Sequence, residues 1–266
     1  MSALCGAIGD KDMCMLLVQL GGLELVSAKD AAGWTFLHRL VYGGDDALAC
    51  EIASVSQGEA LLDMARREVA EYDAARQGGS LVVHRGFPSD LKMDHAERAI
   101  DFVGGGFTTV RSQSMCPAGS RGYFELEIIS MSTSPQFGFA SAGFSAIRGK
   151  SNIGVGDDSS SWAVDGARKL KCHGGRNKWD CGWRDGDVIG LACDLVEGKL
   201  HVSLNGDFSA PNGCVFEIDV EECSGLFAAL SASNGKVRYN LGEAAFKHGA
   251  PAGCDYTAFR DFPPGP

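Results

Sequence analysis

The chain has 266 residues, a formal charge of −10, 45% hydrophobic and 22% charged residues, and 36 glycines. This composition excludes a disordered chain, and with no apolar run of 18 or more residues it excludes a membrane-embedded one. The acidic balance argues against a protein whose main ligand is nucleic acid, because phosphate binding needs clustered lysine and arginine.

The opening MSALCGAIGDKD lacks the basic segment and long apolar run of a signal peptide, so an intracellular, cytoplasmic protein is expected. Residues 1–58 are helical in period, with MCMLLVQL and ALACEIA as short apolar helices separated by glycine and aspartate turns. In DAAGWTFLHRLVYGG, residues 30–44, Asp30, Gly33, Thr35, Leu37 and His38 resemble the turn and first-helix opening of an ankyrin repeat, T-P-L-H-x-A. Phe36 stands at the proline of that pattern and Leu40 at its alanine. The ankyrin period of 33 carries Leu37 back to Leu4, so roughly one and a half repeats are visible, fewer than the three or so a stack needs. A partial array of ankyrin-like repeats is therefore expected over 1–58, and incomplete repeat surface gives one route to self-association. EALLDMARREVAEYDAAR, residues 59–76, carries Leu61, Ala65, Val69 and Tyr72 at helical spacing and reads as a connecting or capping helix over 59–79. Gly78-Gly79 marks the domain boundary.

From Ser80 the period changes to strand alternation. GYFELEII, residues 122–129, puts Phe124, Leu126 and Ile128 on one face and Tyr123, Glu125 and Glu127 on the other. Arg111 and Arg121 flank the preceding loop. With Phe144 and Arg148 they compose a mildly basic, aromatic edge suited to an acidic or polar peptide, a solvated loop face being the alternative.

GFSAIRGKS, residues 143–151, looks like a phosphate-binding loop, but five residues rather than four separate Gly143 from Gly149, and no helix pattern follows Ser151. A nucleotide-binding protein or enzyme using Lys150, Ser151, Asp157 and Asp158 is the competing functional reading. The next stretch, GVGDDSSSWAVDG, residues 154–166, fails each catalytic template. Ser159 replaces the third glycine of a dinucleotide fingerprint, and Arg168 stands where a calcium loop needs glutamate. Read structurally, Gly154 and Gly156 allow a tight bend, Asp157 and Asp158 accept turn amides, and Trp162 plugs the core.

CHGGRNKWDCGWRDGD, residues 172–187, is polar and glycine-rich yet holds Trp179 and Trp183. Trp183, just before a strand, is expected to pack. Trp179 reads equally as a binding anchor and as packing. DVIGLACDL and KLHVSLNG form a hairpin across Val196-Glu197-Gly198, and KLHVSLNG ends in the turn residues Asn205 and Gly206. GLFAALSAS and KVRYNLG read as a second hairpin around Asn234-Gly235. Ten cysteines contain no C-x-x-C pair, and Cys172, His173 and Cys181 match no zinc spacing, so no metal or cofactor is expected.

GYFELEI, the GVGDDSSSWAVDG block, WRDGDVIGLACDL, KLHVSLNG and LFAALSASNGKVRYNLG together resemble, in order and spacing, the SPRY domain. The resemblance implies a mainly β fold, a bent antiparallel β-sandwich over residues 80–250, preceded by the small helical region and followed by a Pro/Gly-containing tail over 251–266. It further implies a non-catalytic adaptor or scaffold whose loops bind a protein or short peptide. Arg111, Arg121, Phe144, Arg148 and Trp179 are the candidate partner contacts. Gly154, Gly156, Asp157, Asp158, Trp162, Asn205 and Gly206 are the structural residues.

Overall fold

Asp10, Thr35 and Asp45 each cap a helix, their side chains accepting from the backbone N–H groups of Met13, His38 and Leu48. In the computed structural model, which describes residues 10–29, 34–76, 80–85, 91–103, 107–144 and 153–265, these caps open helices α1 (Lys11–Ser27), α2 (Phe36–Gly43) and α3 (Asp46–Ser56), and α4 (Glu59–Arg76) follows. The four helices make one compact unit, and the chain from Ser80 makes a second.

The helical unit packs Cys14, Val18, Phe36, Leu37, Leu40, Ile52 and Ala65 into a core of its own. His38 is fully buried and ties the unit together. Its Nδ1 accepts from the Thr35 backbone N–H at 3.2 Å and the Thr35 hydroxyl at 2.7 Å, so Nε2 carries the proton and donates to Glu68 at 3.0 Å. The Thr35–His38 pair thus closes a reciprocal cap at the head of α2. Asp30 and Gly33 of the ankyrin-like opening lie outside the described residues. On α4 the buried stripe is Leu62, Ala65 and Val69, with Leu61 only partly covered. The stripe sits one residue along from the expected Leu61 start, and Tyr72 lies outside the described side chains.

The second unit is a sandwich of two sheets, mainly β, as the alternation requires. Its strands are β1 (Leu81–Arg85), β2 (Leu91–Asp94), β3 (Ala99–Phe102), β4 (Thr108–Ser112), β5 (Cys116–Pro117), β6 (Arg121–Ser130), β7 (Gln136–Ala140), β8 (Ser161–Asp165), β9 (Leu170–Cys172), β10 (Arg176–Lys178), β11 (Val188–Asp194), β12 (Lys199–Leu204), β13 (Gly213–Glu217), β14 (Gly225–Ala232), β15 (Gly235–Asn240) and β16 (Thr257–Ala258). Sheet A runs β1-β4-β14-β7-β8-β9-β10, and sheet B runs β13-β12-β11-β6-β15-β3-β2. Every pairing is antiparallel except that of β16 with β6. Between the sheets lie Phe124, Leu126 and Ile128 of β6, Phe137 and Phe139 of β7, Ile189 and Leu191 of β11, and Leu226, Ala228 and Leu230 of β14.

The hairpin of β11 and β12 forms as the glycine turn predicts, with Asp194 opposite Lys199 and Gly198 at φ +70°. The second expected hairpin does not form. β14 is buried along its whole length and pairs with β4 and β7, which leaves no free edge for β15. The chain instead crosses to sheet B, where β15 pairs with β3 and β6. Asn234-Gly235 makes the crossing: the Asn234 side-chain Oδ1 accepts from the Ser132 hydroxyl and from the Thr133 N–H and hydroxyl, and Gly235 turns at φ +92°.

The reading of residues 251–266 as a tail outside the domain is also corrected. β16 adds to sheet B, Phe259 enters the core on a 3-10 helix (Phe259–Asp261), and Pro264 bridges to Ser114. The preceding segment covers the outer face of β6. Glu125 is buried there, accepting from the Tyr123 hydroxyl and from the backbone N–H groups of Lys247, His248 and Gly249. Phe246 meets Tyr123 edge-on at 4.8 Å. The polar face of the alternating strand is therefore covered rather than solvated.

Candidate functional site

The bend at 154–161 can be built only with glycine at two positions. A side chain on Gly154 would lie 2.1 Å from the Phe107 ring and 2.4 Å from Gln136 Oε1. Gly156 sits at φ +89°, and a Cβ there would meet Cys172 at 2.7 Å. The aspartates then satisfy the bend. Asp157 accepts from the Gly154 N–H at 2.9 Å, from Gln136 Nε2 at 2.9 Å and from the Arg176 guanidinium at 3.2 Å. Asp158 accepts from the Ser160 N–H at 3.0 Å and the Ser161 hydroxyl at 2.6 Å, while Ser161 Oγ accepts from the Gly156 N–H. Both carboxylates are engaged by the turn, on separate partners, and neither is poised to share a proton. Trp162 follows on β8 and joins the main core with little of its surface exposed.

The β9–β10 hairpin leans on this bend. Gly174 N–H donates to the Asp158 carbonyl at 2.8 Å and to the Gly156 carbonyl at 3.1 Å. His173 Nδ1–H donates to the Ser161 carbonyl at 2.9 Å, and its ring stacks on Trp162 with centroids 4.7 Å apart. Bend and hairpin thus brace each other, and the residues left outward are His173, Gly174, Gly175, Arg176, Asn177 and Lys178, all exposed. β10 is the last strand of sheet A. A polar loop on a rigid sheet results, its Arg176 and Lys178 paired with Asp157 and Asp180, with its conformation set before any partner arrives.

The sequence-predicted partner residues fare differently. Trp179 is 5% exposed and packs in the core against Trp183, and its Nε1–H donates to the Pro211 carbonyl at 2.9 Å. Its role as an exposed anchor is corrected: burial with a satisfied indole N–H outweighs display. Trp183 stacks on Phe137, with the rings 8° from parallel, as its place before β11 implies. Phe144 is 4% exposed in a small cluster with Ala140, Val155, Ala163 and Ala229, so it too is packed rather than presented. Arg111, on sheet A, is half-buried with its guanidinium 3.9 Å from the Phe227 ring centre. Arg121, on sheet B, is held by Asp194 at 2.7 Å. These residues do not assemble the basic, aromatic edge expected of them. Arg148, Lys150 and Ser151 lie outside the described residues. Asn205 and Gly206 form the turn after β12, where Asn205 accepts from the Val188 N–H and donates to Asp187. Among the described residues no group of three or more histidine, cysteine, aspartate or glutamate side chains is arranged to hold a metal ion, and no helix is long and apolar enough to cross a membrane.

Residues 121–244 match the family model of the SPRY domain. The chain contains a SPRY domain. A solved structure of the SPRY domain of human HERC1 is similar to it at 15% sequence identity and a TM-score of 0.46, covering 57% of this chain and 95% of that one. The sandwich reaches beyond the matched residues at both ends, from β1 at Leu81 to the bridge at Pro264. The loop from Gly174 to Trp183 was among the sequence's candidates, but His173, Arg176 and Lys178, which the hairpin of this SPRY domain exposes, were not named as its contacts. Their signal was present in HGGRNK, where two glycines turn between polar residues, but the neighbouring tryptophans drew the assignment.

Proposed function

We propose that the protein is a non-catalytic interaction module in which the SPRY domain binds an extended segment of a protein partner at the surface made by the 154–161 bend and the β9–β10 hairpin. SPRY domains are generally protein-interaction modules. The observation that carries the placement is the bracing of the exposed hairpin on the bend, Arg176 by Asp157, Gly174 by the Asp158 carbonyl and His173 by Trp162, with Asn177 and Lys178 exposed beside them. A loop held in this way loses little conformational entropy on binding, which favours recognition. Its exposed hydrogen-bonding groups suit a polar segment, and carboxylates of the partner can exchange with Asp157 and Asp180 at Arg176 and Lys178. The test is a peptide-display selection on the full chain, repeated with Arg176→Ala/Lys178→Ala: selected sequences are expected to be lost in the double variant.

Ankyrin-like repeats over the helical unit supply a second surface in this reading. A second copy of the chain is its proposed partner there, because α1, before its kink at Gly22, leaves Met13, Leu16 and Leu20 between 46% and 78% exposed, at spacings of three and four. Sedimentation or light scattering is expected to give a mass that rises with concentration, and Leu16→Lys/Leu20→Lys is expected to return it to that of a monomer. A constant monomer mass for the unmutated chain rejects this second contact.

A further inference from the structure

A shallow, open cleft lies on the outer face of sheet B, between β6 and β15 and beneath the segment that follows β15. Its walls include three cations, Arg98, Arg238 and Lys247, and two carboxylates, Glu125 and Glu127. The partners of these groups decide what the cleft can take. Glu125 is saturated by the Tyr123 hydroxyl and three backbone N–H groups. Glu127 is shared between Arg238 and Lys247, the latter at 2.8 Å. Arg98 has no carboxylate partner among the described residues, and its backbone is fixed by a 2.9 Å bond from the Tyr239 N–H to its carbonyl. The cleft lining therefore carries three positive and two negative charges, with Asp94 and Glu243 acting on Tyr239 from outside it, and the half-buried Arg98 is the lining cation without an ion-pair partner among the described residues.

We propose that this cleft receives the carboxylate of an aspartate or glutamate side chain from a bound peptide, with the Arg98 guanidinium as its partner and Val188 and Ala244 against its methylene groups. A surplus of one charge matches a singly charged carboxylate better than a phosphate group, which carries about −1.5 to −2 at neutral pH. The surrounding apolar wall also suits a short aliphatic stem. The inference rests on the reading of the SPRY domain as a peptide-binding module and adds a recognition point apart from the β9–β10 hairpin.

The test uses the full chain and a fluorescein-labelled Gly-Glu-Gly-Glu-Gly peptide, followed by fluorescence polarisation at low salt. Saturable binding is expected, weakened about tenfold or more by Arg98→Gly. Glycine accepts the left-handed backbone at this position, φ +54°, so the thermal midpoint should not fall and the loss reports the side chain. Acetate and inorganic phosphate, titrated as competitors, identify the anion: acetate should displace the peptide at concentrations no higher than phosphate. Absence of saturable binding, unchanged affinity in Arg98→Gly, or displacement by phosphate at a much lower concentration each overturns the assignment. Arg98→Gly leaves the hairpin untouched. Partners that bind this variant normally but are lost in Arg176→Ala/Lys178→Ala would remove the cleft while keeping the broader reading.

Discussion

Replacing Phe259 by alanine is expected to destabilise the SPRY sandwich by about 3–5 kcal/mol, the usual cost of deleting a fully buried aromatic side chain. Phe259 is wholly inaccessible and meets Phe124, Phe139 and Phe262 with ring centroids between 5.4 and 6.1 Å. Gly122 is the floor beneath it, since a Cβ there would approach Phe259 to 2.8 Å. Loss of the ring leaves a cavity that β6 cannot collapse to fill, because β6 is held on both sides by β11 and β15. In thermal unfolding followed by near-ultraviolet circular dichroism, a change of that size corresponds to a fall of roughly 10 °C or more in midpoint for a domain of this length. A change under about 1 kcal/mol would mean that the chain after residue 250 is not part of the fold.

Glu125→Ala is the second large effect, expected to cost about 3 kcal/mol, as taking the shared acceptor from several neutral donors does. Three consecutive backbone N–H groups, those of Lys247, His248 and Gly249, would lose their acceptor together with the Tyr123 hydroxyl. Glu125→Gln keeps the shape and one carbonyl oxygen, so it should recover part of the loss, about half on the usual worth of such bonds. Urea unfolding distinguishes the two, and hydrogen exchange should show the 247–249 amides opening first in the alanine variant. If alanine and glutamine behave alike, the carboxylate is not what anchors this segment.

The fold was legible where one face of a strand must be apolar. Phe124, Leu126 and Ile128 alternate on β6, and Gly198 supplies the left-handed turn between β11 and β12. Alternation does not say what covers the other face, which is why the burial of Tyr123 and Glu125 under residues 246–249 was not legible. The apolar run of β14 is consistent with a fully buried strand, yet the run cannot say which strands flank it. That choice depends on β4 and β7, more than eighty residues upstream, and it overrode the local hairpin signal at Asn234-Gly235.

The candidate site shows the same division. The templates that failed on GVGDDSSSWAVDG failed for local reasons, and the geometry agrees in using Asp157 and Asp158 as turn acceptors. Misassignment came from treating large rings as ligands. Trp179 and Phe144 gain more from the core than from solvent, whereas Arg176 and Lys178 cannot be buried and are left on the surface. In a glycine-rich polar loop with tryptophans, the polar residues between the rings are the better guide to what is presented.

The central claim is that the bend and hairpin of sheet A form the recognition surface, and the affinity of one display-selected peptide tests it most directly. Isothermal titration of that peptide into the full chain and into Arg176→Ala/Lys178→Ala is predicted to show a loss of about tenfold or more in the variant, equivalent to about 1.4 kcal/mol or more. The variant should keep its thermal midpoint, because Arg176 and Lys178 are exposed and their ion pairs with Asp157 and Asp180 contribute little to stability. Equal affinity for both proteins would contradict the account and move the recognition surface elsewhere on the chain.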